Sequence, residues 1–229
     1  FGALPFVMGA TEASYTDAFF EAMSGLTTTG ATVFTGLDSL PDSLLLWRSI
    51  LQWLGGIGII VVAMVFLPEL RVGGMQIFRS EGFDTFGKIL PRATEIASQI
   101  AWLYFALTTI CALAYLASGM RTFDALLHAM TTIATGGFST YDASFERFGA
   151  STEYAGAFFM CLAALPFVRY VQLVNGQPQS LFKDTQIQAF FAILAVVVGI
   201  LTLLLWQGGG LGGELGFRKA LFNVVSIVT

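Results

Sequence analysis

Two segments of this chain, residues 16–32 and 123–139, align with each other without a gap. Identical residues occur at six aligned positions, namely Asp17/Asp124, Ala18/Ala125, Ala22/Ala129, Met23/Met130, Thr28/Thr135 and Gly30/Gly137. A third copy begins at Phe217, and its Thr229 aligns with Thr135. Each copy is a short apolar segment that leads into a stretch rich in threonine and glycine. An internal repeat of this kind predicts equivalent structural units packed side by side.

The composition predicts that these units lie in a membrane. Of 229 residues, 55% are hydrophobic and 11% are charged, whereas about a quarter of the residues of a soluble domain are charged. A helix needs about 20 apolar residues to cross a bilayer. Four runs reach this length, at residues 44–67, 96–117, 154–174 and 187–206. The sequence therefore predicts an all-α membrane protein, and residues 1–8 read as the end of a further helix.

The basic residues predict how the chain is oriented. Four of them lie between the first and second apolar runs: Arg71, Arg79, Lys88 and Arg92. Loops rich in Lys and Arg stay in the cytoplasm, so the threonine- and glycine-rich stretches are expected on the outer side. Cys111 and Cys161 lie within apolar runs and are expected to pack as small hydrophobic side chains.

The repeated apolar segments, residues 16–26 and 123–133, are predicted to be short re-entrant helices. They have about eleven residues each, which is too few to span a bilayer. Thr16 or Thr122 can cap the helix start, and Asp17 and Asp124 then lie in the first turn, where a carboxylate favours the positive end of the helix dipole. The negative ends of these pore helices point to the segments that follow.

Those segments, residues 27–32 (the first strip) and 134–139 (the second strip), are poor helix formers. Irregular backbone at membrane depth is tolerated only where it is buried in protein or lines a water-filled cavity. Carbonyl oxygens turned inward by such a strip can replace the hydration shell of an alkali cation. The candidate ion ligands are Thr27, Thr28, Thr29, Gly30, Ala31, Ala134, Thr135, Gly136, Gly137 and Phe138, with Val228 and Thr229 in the third copy.

Several motifs resemble one family of cation transporters. They are residues 16–32, 36–41 (Gly-Leu-Asp-Ser-Leu-Pro), 51–60 (Leu-Gln-Trp-Leu-Gly-Gly-Ile-Gly-Ile-Ile), 72–76 (Val-Gly-Gly-Met-Gln) and 134–143 (Ala-Thr-Gly-Gly-Phe-Ser-Thr-Tyr-Asp-Ala). Together they resemble the TrkH-type potassium uptake subunits of the Trk/Ktr/HKT superfamily. The resemblance covers essentially the whole chain.

The resemblance implies a K⁺-channel-like fold of four helix–pore loop–helix repeats with pseudo-fourfold symmetry. It implies K⁺ as the transported ion, no organic cofactor and no enzymatic activity, with K⁺ held at Thr28, Thr29, Gly30, Thr135, Gly136 and Gly137. Gly30 and Gly137 match the filter glycines. It also implies a homodimer in the bacterial inner membrane that binds a cytoplasmic nucleotide-binding subunit of the TrkA type, and no nucleic acid.

The same observations divide the chain. Residues 1–68 and 96–175 are expected to be two pore repeats, and residues 187–229 the start of a third. Residues 69–95 and 176–186 are expected to be cytoplasmic loops. One strip cannot encircle an ion, so the chain is expected to be a piece of a longer protein with about four copies.

Alternative readings stay open for the polar groups of the membrane segments. Glu21 and His128 occupy the same position in two copies and could belong to a proton route, or each could bind a backbone group or water. The chain could then be a sodium-selective or proton-coupled transporter. In a third alternative, a membrane enzyme or scaffold, Arg169 would join Glu21 and His128 in one polar site, although a snorkelling Arg169 is the simpler reading.

Overall fold

The computed structural model describes residues 1–9, 11, 13–66, 89–177, 179–208 and 212–229. Within these ranges all regular structure is helical, and the helices are α1 (Leu4–Met8), α2 (Tyr15–Leu26), α3 (Asp42–Phe66), α4 (Ile89–Ala117), α5 (Thr122–Ile133), α6 (Ala150–Ala163), α7 (Phe167–Val174), α8 (Gln179–Phe182), α9 (Thr185–Gln207) and α10 (Gly213–Val228). Short 3₁₀ turns at Leu37–Ser39 and Ser144–Arg147 follow the two strips.

The two pore helices form where the repeat predicts them. Helix α2 and helix α5 each have 12 residues and end immediately before the strips. The predicted caps are wrong, because Ser14, not Thr16, caps α2, with its hydroxyl accepting from the Asp17 N–H. Thr122 is the first helical residue of α5, whose N-cap Arg121 makes no side-chain capping bond. Local competition among adjacent hydroxyl residues decides such boundaries, which are the least certain part of a sequence-based assignment.

The long apolar runs form long helices. Among the described residues, 97–117 and Thr185–Gln207 are each long and apolar enough to cross a membrane. Helix α3 covers the first predicted run up to Phe66. Helix α4 begins at Ile89, earlier than predicted, and Arg71, Arg79 and Lys88 lie outside the described residues.

The third predicted run is broken rather than continuous. Helices α6 and α7 meet at an angle of 84° and count together as one candidate span. Pro166 stands at the break as the N-cap of α7, where its ring removes a backbone donor and prevents α6 from continuing. Beyond the break, Phe167 packs against Tyr104 of α4, with ring centroids 5.9 Å apart.

Each second helix of a repeat contacts two pore helices. Helix α3 packs against α2 of its own repeat and against α5 of the next, and helix α6 packs against α5 and then against α10 in the same way. Two adjacent glycines allow this at α3. A Cβ on Gly55 would be 2.1 Å from the Leu26 carbonyl oxygen, and one on Gly56 would be 3.0 Å from Ala134 Cα. The two glycines therefore let α3 approach the ends of both pore helices, and Gly56 also lies against the Tyr104 hydroxyl of α4.

Candidate ion-binding strips

The two strips leave their helices by the same backbone turn. In the first, the Thr28 N–H donates to the Gly25 carbonyl (3.0 Å) and the Thr29 N–H donates to the Ser24 carbonyl (2.9 Å). In the second, Thr135 and Gly136 make the equivalent bonds to the Thr132 and Thr131 carbonyls, at 3.0 and 2.9 Å. This pair of bonds is the Schellman motif, which needs a left-handed residue at its turning point.

A threonine occupies that left-handed position in both strips. Thr28 has φ 56° and Thr135 has φ 50°, a conformation that costs a non-glycine residue roughly 1–2 kcal/mol. Two residues later Gly30 and Gly137 have φ 77° and 81°. The repeat in the sequence is therefore also a repeat in backbone conformation.

The strips lie against each other. A Cβ on Gly30 would be 2.0 Å from the Gly136 carbonyl oxygen, so only glycine permits this approach. Gly30 and Gly137 line one cavity together with Thr32, Phe138 and Ser139. Thr28 and Thr135 line a second cavity, bordered by Tyr104 and Phe167. Corresponding residues of the two repeats, Gly30 with Gly137 and Thr28 with Thr135, thus line the same two cavities.

The pore helices support their strips through equivalent positions. The Thr32 hydroxyl donates to Glu21 Oε1 (2.8 Å), and the aligned Ser139 hydroxyl lies 3.0 Å from His128 Nε2. The Thr32 hydroxyl also accepts from the N–H two residues later, and Ser139 does the same. Glu21 and His128 are both fully buried, so each serves as a brace between pore helix and strip.

Arg48 of α3 connects both strips. Its Nε donates to Glu21 Oε1 (2.8 Å) and its Nη2 donates to the Thr32 hydroxyl (3.2 Å). Its Nη1 donates to the Ser139 carbonyl (2.9 Å) of the second strip. The guanidinium carbon lies 4.2 Å from the centre of the Phe138 ring. Arg48 is 1% exposed, and a buried charge of this kind is tolerated only when it is paired and hydrogen-bonded.

Gln52 lies one turn further along α3 and binds the second strip but not the first. Its Nε2 donates to the Gly136 carbonyl (2.8 Å), and its Oε1 accepts from the Phe138 N–H (3.1 Å). The amide therefore brackets Gly137 on both sides. A Cβ on Gly136 would lie 2.4 Å from the Gln52 side chain, so the glycine leaves room for this contact.

Two aspartates fix the segment that follows the second strip. Asp124 of α5 accepts from the Thr140 hydroxyl (3.0 Å) and from the Tyr141 hydroxyl (3.2 Å). Asp142 accepts from the N–H groups of Gly36 (2.8 Å) and Leu37 (3.1 Å) in the first repeat. The segments that follow the two strips are thus joined to each other.

The candidate ion ligands differ in what their polar atoms already bind. The Ser24 hydroxyl donates to the Ala31 carbonyl, and the Thr27 hydroxyl donates to the Met23 carbonyl. Ala134 is the buried C-cap of α5. In the third copy, Val228 is the last residue of α10 and Thr229 follows it, with its N–H donating to the Val225 carbonyl.

Arg169 lies apart from Glu21 and His128. Its Nε donates to Asp184 Oδ2 at 2.8 Å, and Asp184 caps α9 by accepting from the Gln186 and Ile187 N–H groups. Burial alone would raise the pKa of Asp184, but these backbone bonds and the Arg169 guanidinium lower it below its ordinary value. Glu21 instead pairs with Arg48, and His128 binds the Asp124 carbonyl and Ser139. The three residues of the enzyme-or-scaffold alternative do not form one site.

The sequence interpretation missed Arg48 and Gln52. A polar residue inside an otherwise apolar run is a functional hypothesis by default, and this signal was present at positions 48 and 52. Within the described ranges, His, Cys, Asp and Glu side chains form no cluster that could hold a metal ion. The candidate ligands named for the strips are main-chain and hydroxyl oxygens, which suit alkali cations rather than transition metals.

Comparison with known proteins agrees with this architecture. Residues 2–208 match the TrkH family, described as a cation transport protein. The chain is 43% identical over 232 residues to the Trk system potassium uptake protein TrkI of Halomonas elongata, covering 100% of this chain and 47% of that protein. It is 42% identical over 234 residues to the Trk system potassium uptake protein TrkH of Escherichia coli K12, covering 100% of this chain and 48% of that protein.

A solved structure has the same fold. The crystal structure of the potassium transporter TrkH from Vibrio parahaemolyticus matches with a TM-score of 0.86 and 40% identity, covering 99% of this chain and 47% of that one. The chain thus spans about half the length of these relatives. The chain belongs to the TrkH family of cation transport proteins.

Proposed function

We propose that this chain forms the first part of the ion path of a potassium uptake transporter. The observation that carries the proposal is the conformational repeat of the strips: the same turn, the same positive φ angles and the same pair of shared cavities. Its relatives are named as potassium uptake proteins. The complete path would need further repeats, because two strips cannot surround an ion.

In this proposal, K⁺ is dehydrated by oxygens of the two strips. The carbonyl groups of Thr28, Thr29 and Gly30 serve in the first strip, and those of Thr135, Gly136 and Gly137 in the second. The Gly136 oxygen already accepts from Gln52, and its second lone pair remains for an ion. The negative ends of α2 and α5 add favourable potential.

The driving force is the membrane potential. An inward-moving monovalent cation gains about 2.3 kcal/mol per 100 mV. We further propose that the complete protein works as a homodimer in the bacterial inner membrane, with a cytoplasmic nucleotide-binding partner of the TrkA type. The relatives are named as proteins of Trk systems, which supports work within a system of several components; the homodimer and the TrkA-type partner come from the family resemblance.

The test is ion selectivity in the full-length protein. Gly30→Ser and Gly137→Ser are expected to lower the ratio of K⁺ to Na⁺ uptake in cells that lack other potassium uptake systems. Gly199→Ser is the matched control, since Gly199 lies in α9 with nothing within 4 Å of an added Cβ. An unchanged ratio in both strip variants would count against the filter.

A proton-coupled transporter remains the second candidate. Glu21 would be its proton-carrying group, and this carboxylate is fully buried and paired with Arg48. A pH series of K⁺ uptake separates the two candidates. A steep proton dependence that disappears in Glu21→Gln would support coupling.

A further inference from the structure

The second strip is held by side chains from the first repeat. Gln52 bonds on both sides of Gly137, at the Gly136 carbonyl (2.8 Å) and the Phe138 N–H (3.1 Å). These two bonds fix the peptide planes before and after the glycine. Gln52 is 0% exposed, so water does not offer an alternative partner.

Arg48 adds contacts one helical turn away on the same face of α3. It binds the carbonyl of Ser139 in the second strip and the hydroxyl of Thr32 in the first. Its charge is balanced by Glu21 of α2. Arg48 and Gln52, the α3 brace, therefore connect one rigid helix to both strips.

The next interface between repeats has a different construction. There α6 presents Gly156, where an added Cβ would lie 3.0 Å from Phe145 and 3.1 Å from Phe222. Phe222 aligns with Glu21 and His128. The buried Glu153 of α6 pairs there with Lys219 (3.0 Å) and with Arg218 (3.4 Å) of α10. Helix α6 thus meets α10 through a glycine and a carboxylate, whereas α3 meets α5 and its strip through Arg48 and Gln52.

We propose that Arg48 and Gln52 are specificity-determining positioning residues, which set the distance and orientation of the second strip relative to the first. This inference rests on the proposed function of the strips. Selectivity between K⁺ and Na⁺ depends on the size of the oxygen cage and on the number and field strength of its carbonyl groups. A residue that fixes two peptide planes beside Gly137 fixes those properties without contacting the ion.

The variants Gln52→Met and Gln52→Glu test the brace in the full-length protein. Methionine removes both bonds to the strip, and the ratio of K⁺ to Na⁺ uptake is expected to fall about fivefold, the equivalent of one net hydrogen bond. The carboxyl group in Gln52→Glu can donate to the Gly136 carbonyl only while it is protonated. The ratio in that variant is therefore expected to recover as the pH falls, whereas wild type and Gln52→Met should show no such recovery.

Tyr115→Phe is the matched control. It removes the buried hydrogen bonds of the Tyr115 hydroxyl, including the one to Thr132 of α5 (2.8 Å), and Thr132 belongs to neither strip. Its uptake ratio is expected to equal that of wild type. Surface expression of every variant is measured by immunoblot of isolated membranes, so that a folding defect is separated from a change in selectivity.

The outcomes separate the inference from the proposed function. A changed ratio in Gly137→Ser together with a wild-type ratio in Gln52→Met would overturn the inference and leave the filter standing. An equal change in Tyr115→Phe would also overturn it, and an unchanged ratio in both Gly30→Ser and Gly137→Ser would count against the filter and the inference together. If Gln52→Met is not inserted in the membrane, Arg48→Lys takes its place. Lysine keeps the charge beside Glu21 but not the forked bonds to both strips. A wild-type uptake ratio in Arg48→Lys overturns the inference.

Discussion

The two strips have one backbone conformation but different supports. In the first repeat the group behind the strip is a carboxylate, Glu21, which requires the buried cation Arg48. In the second repeat the aligned group is His128, which binds Ser139 and the Asp124 carbonyl and packs edge-to-face against the rings of Phe145 and Phe148. The turn therefore follows from the local pattern of threonine and glycine, whereas the side chains that support the turn differ between the repeats.

The largest expected difference between the repeats is in stability. Glu21→Gln leaves the Arg48 charge buried without its partner, so the free energy of unfolding should fall by about 3–5 kcal/mol. His128→Gln replaces one neutral hydrogen-bonding group by another and should cost about 1 kcal/mol. Thermal unfolding of the purified protein in detergent measures both. Equal losses would contradict the distinction between a charged and a neutral support.

The coupling between Glu21 and Arg48 gives a second test. Because each single substitution leaves one buried charge unpaired, Glu21→Gln combined with Arg48→Met should be more stable than the sum of the single losses by roughly 2–3 kcal/mol. A double-mutant cycle on unfolding in detergent supplies this number. Additive losses would mean that the pair does not act as a unit.

The two strip glycines should respond unequally to alanine. Both have positive φ, which costs alanine about 1–2 kcal/mol. At Gly30 the added Cβ would also meet the Gly136 carbonyl, whereas the space around Gly137 is open. Gly30→Ala should therefore be more destabilising than Gly137→Ala by about 1–3 kcal/mol. A reversed order in unfolding midpoints would contradict the close approach of the strips.

The smallest expected effect concerns the left-handed threonine that both strips contain. Thr28→Gly and Thr135→Gly each relieve a left-handed threonine and should raise the free energy of unfolding by up to about 1 kcal/mol, by similar amounts in both repeats. The measurement is again thermal unfolding in detergent. If one variant is stabilised and the other destabilised, the left-handed threonine does not have the same energetic cost in the two repeats.

Much of the fold could be predicted because its signals are local. Apolar run length predicted the long helices, and the short repeated segments predicted both pore helices with their ends at Leu26 and Ile133. The helix caps were wrong, since neighbouring residues offer hydroxyl groups of similar capping strength. The apolar run 154–174 predicted one continuous span, but the chain breaks at Pro166 with an angle of 84°, and α7 beyond the break packs against α4.

The repeat follows from short-range features of the chain: the pore helices, the turns after them, and the glycines that allow positive φ at Gly30 and Gly137. These depend on residues within a few positions of one another. The binding of Arg48 and Gln52 to the strip of the next repeat, and the contact of Gly30 with Gly136, depend instead on how the helices pack. Such contacts join residues far apart in the chain, so the partners meet only after the helices have packed.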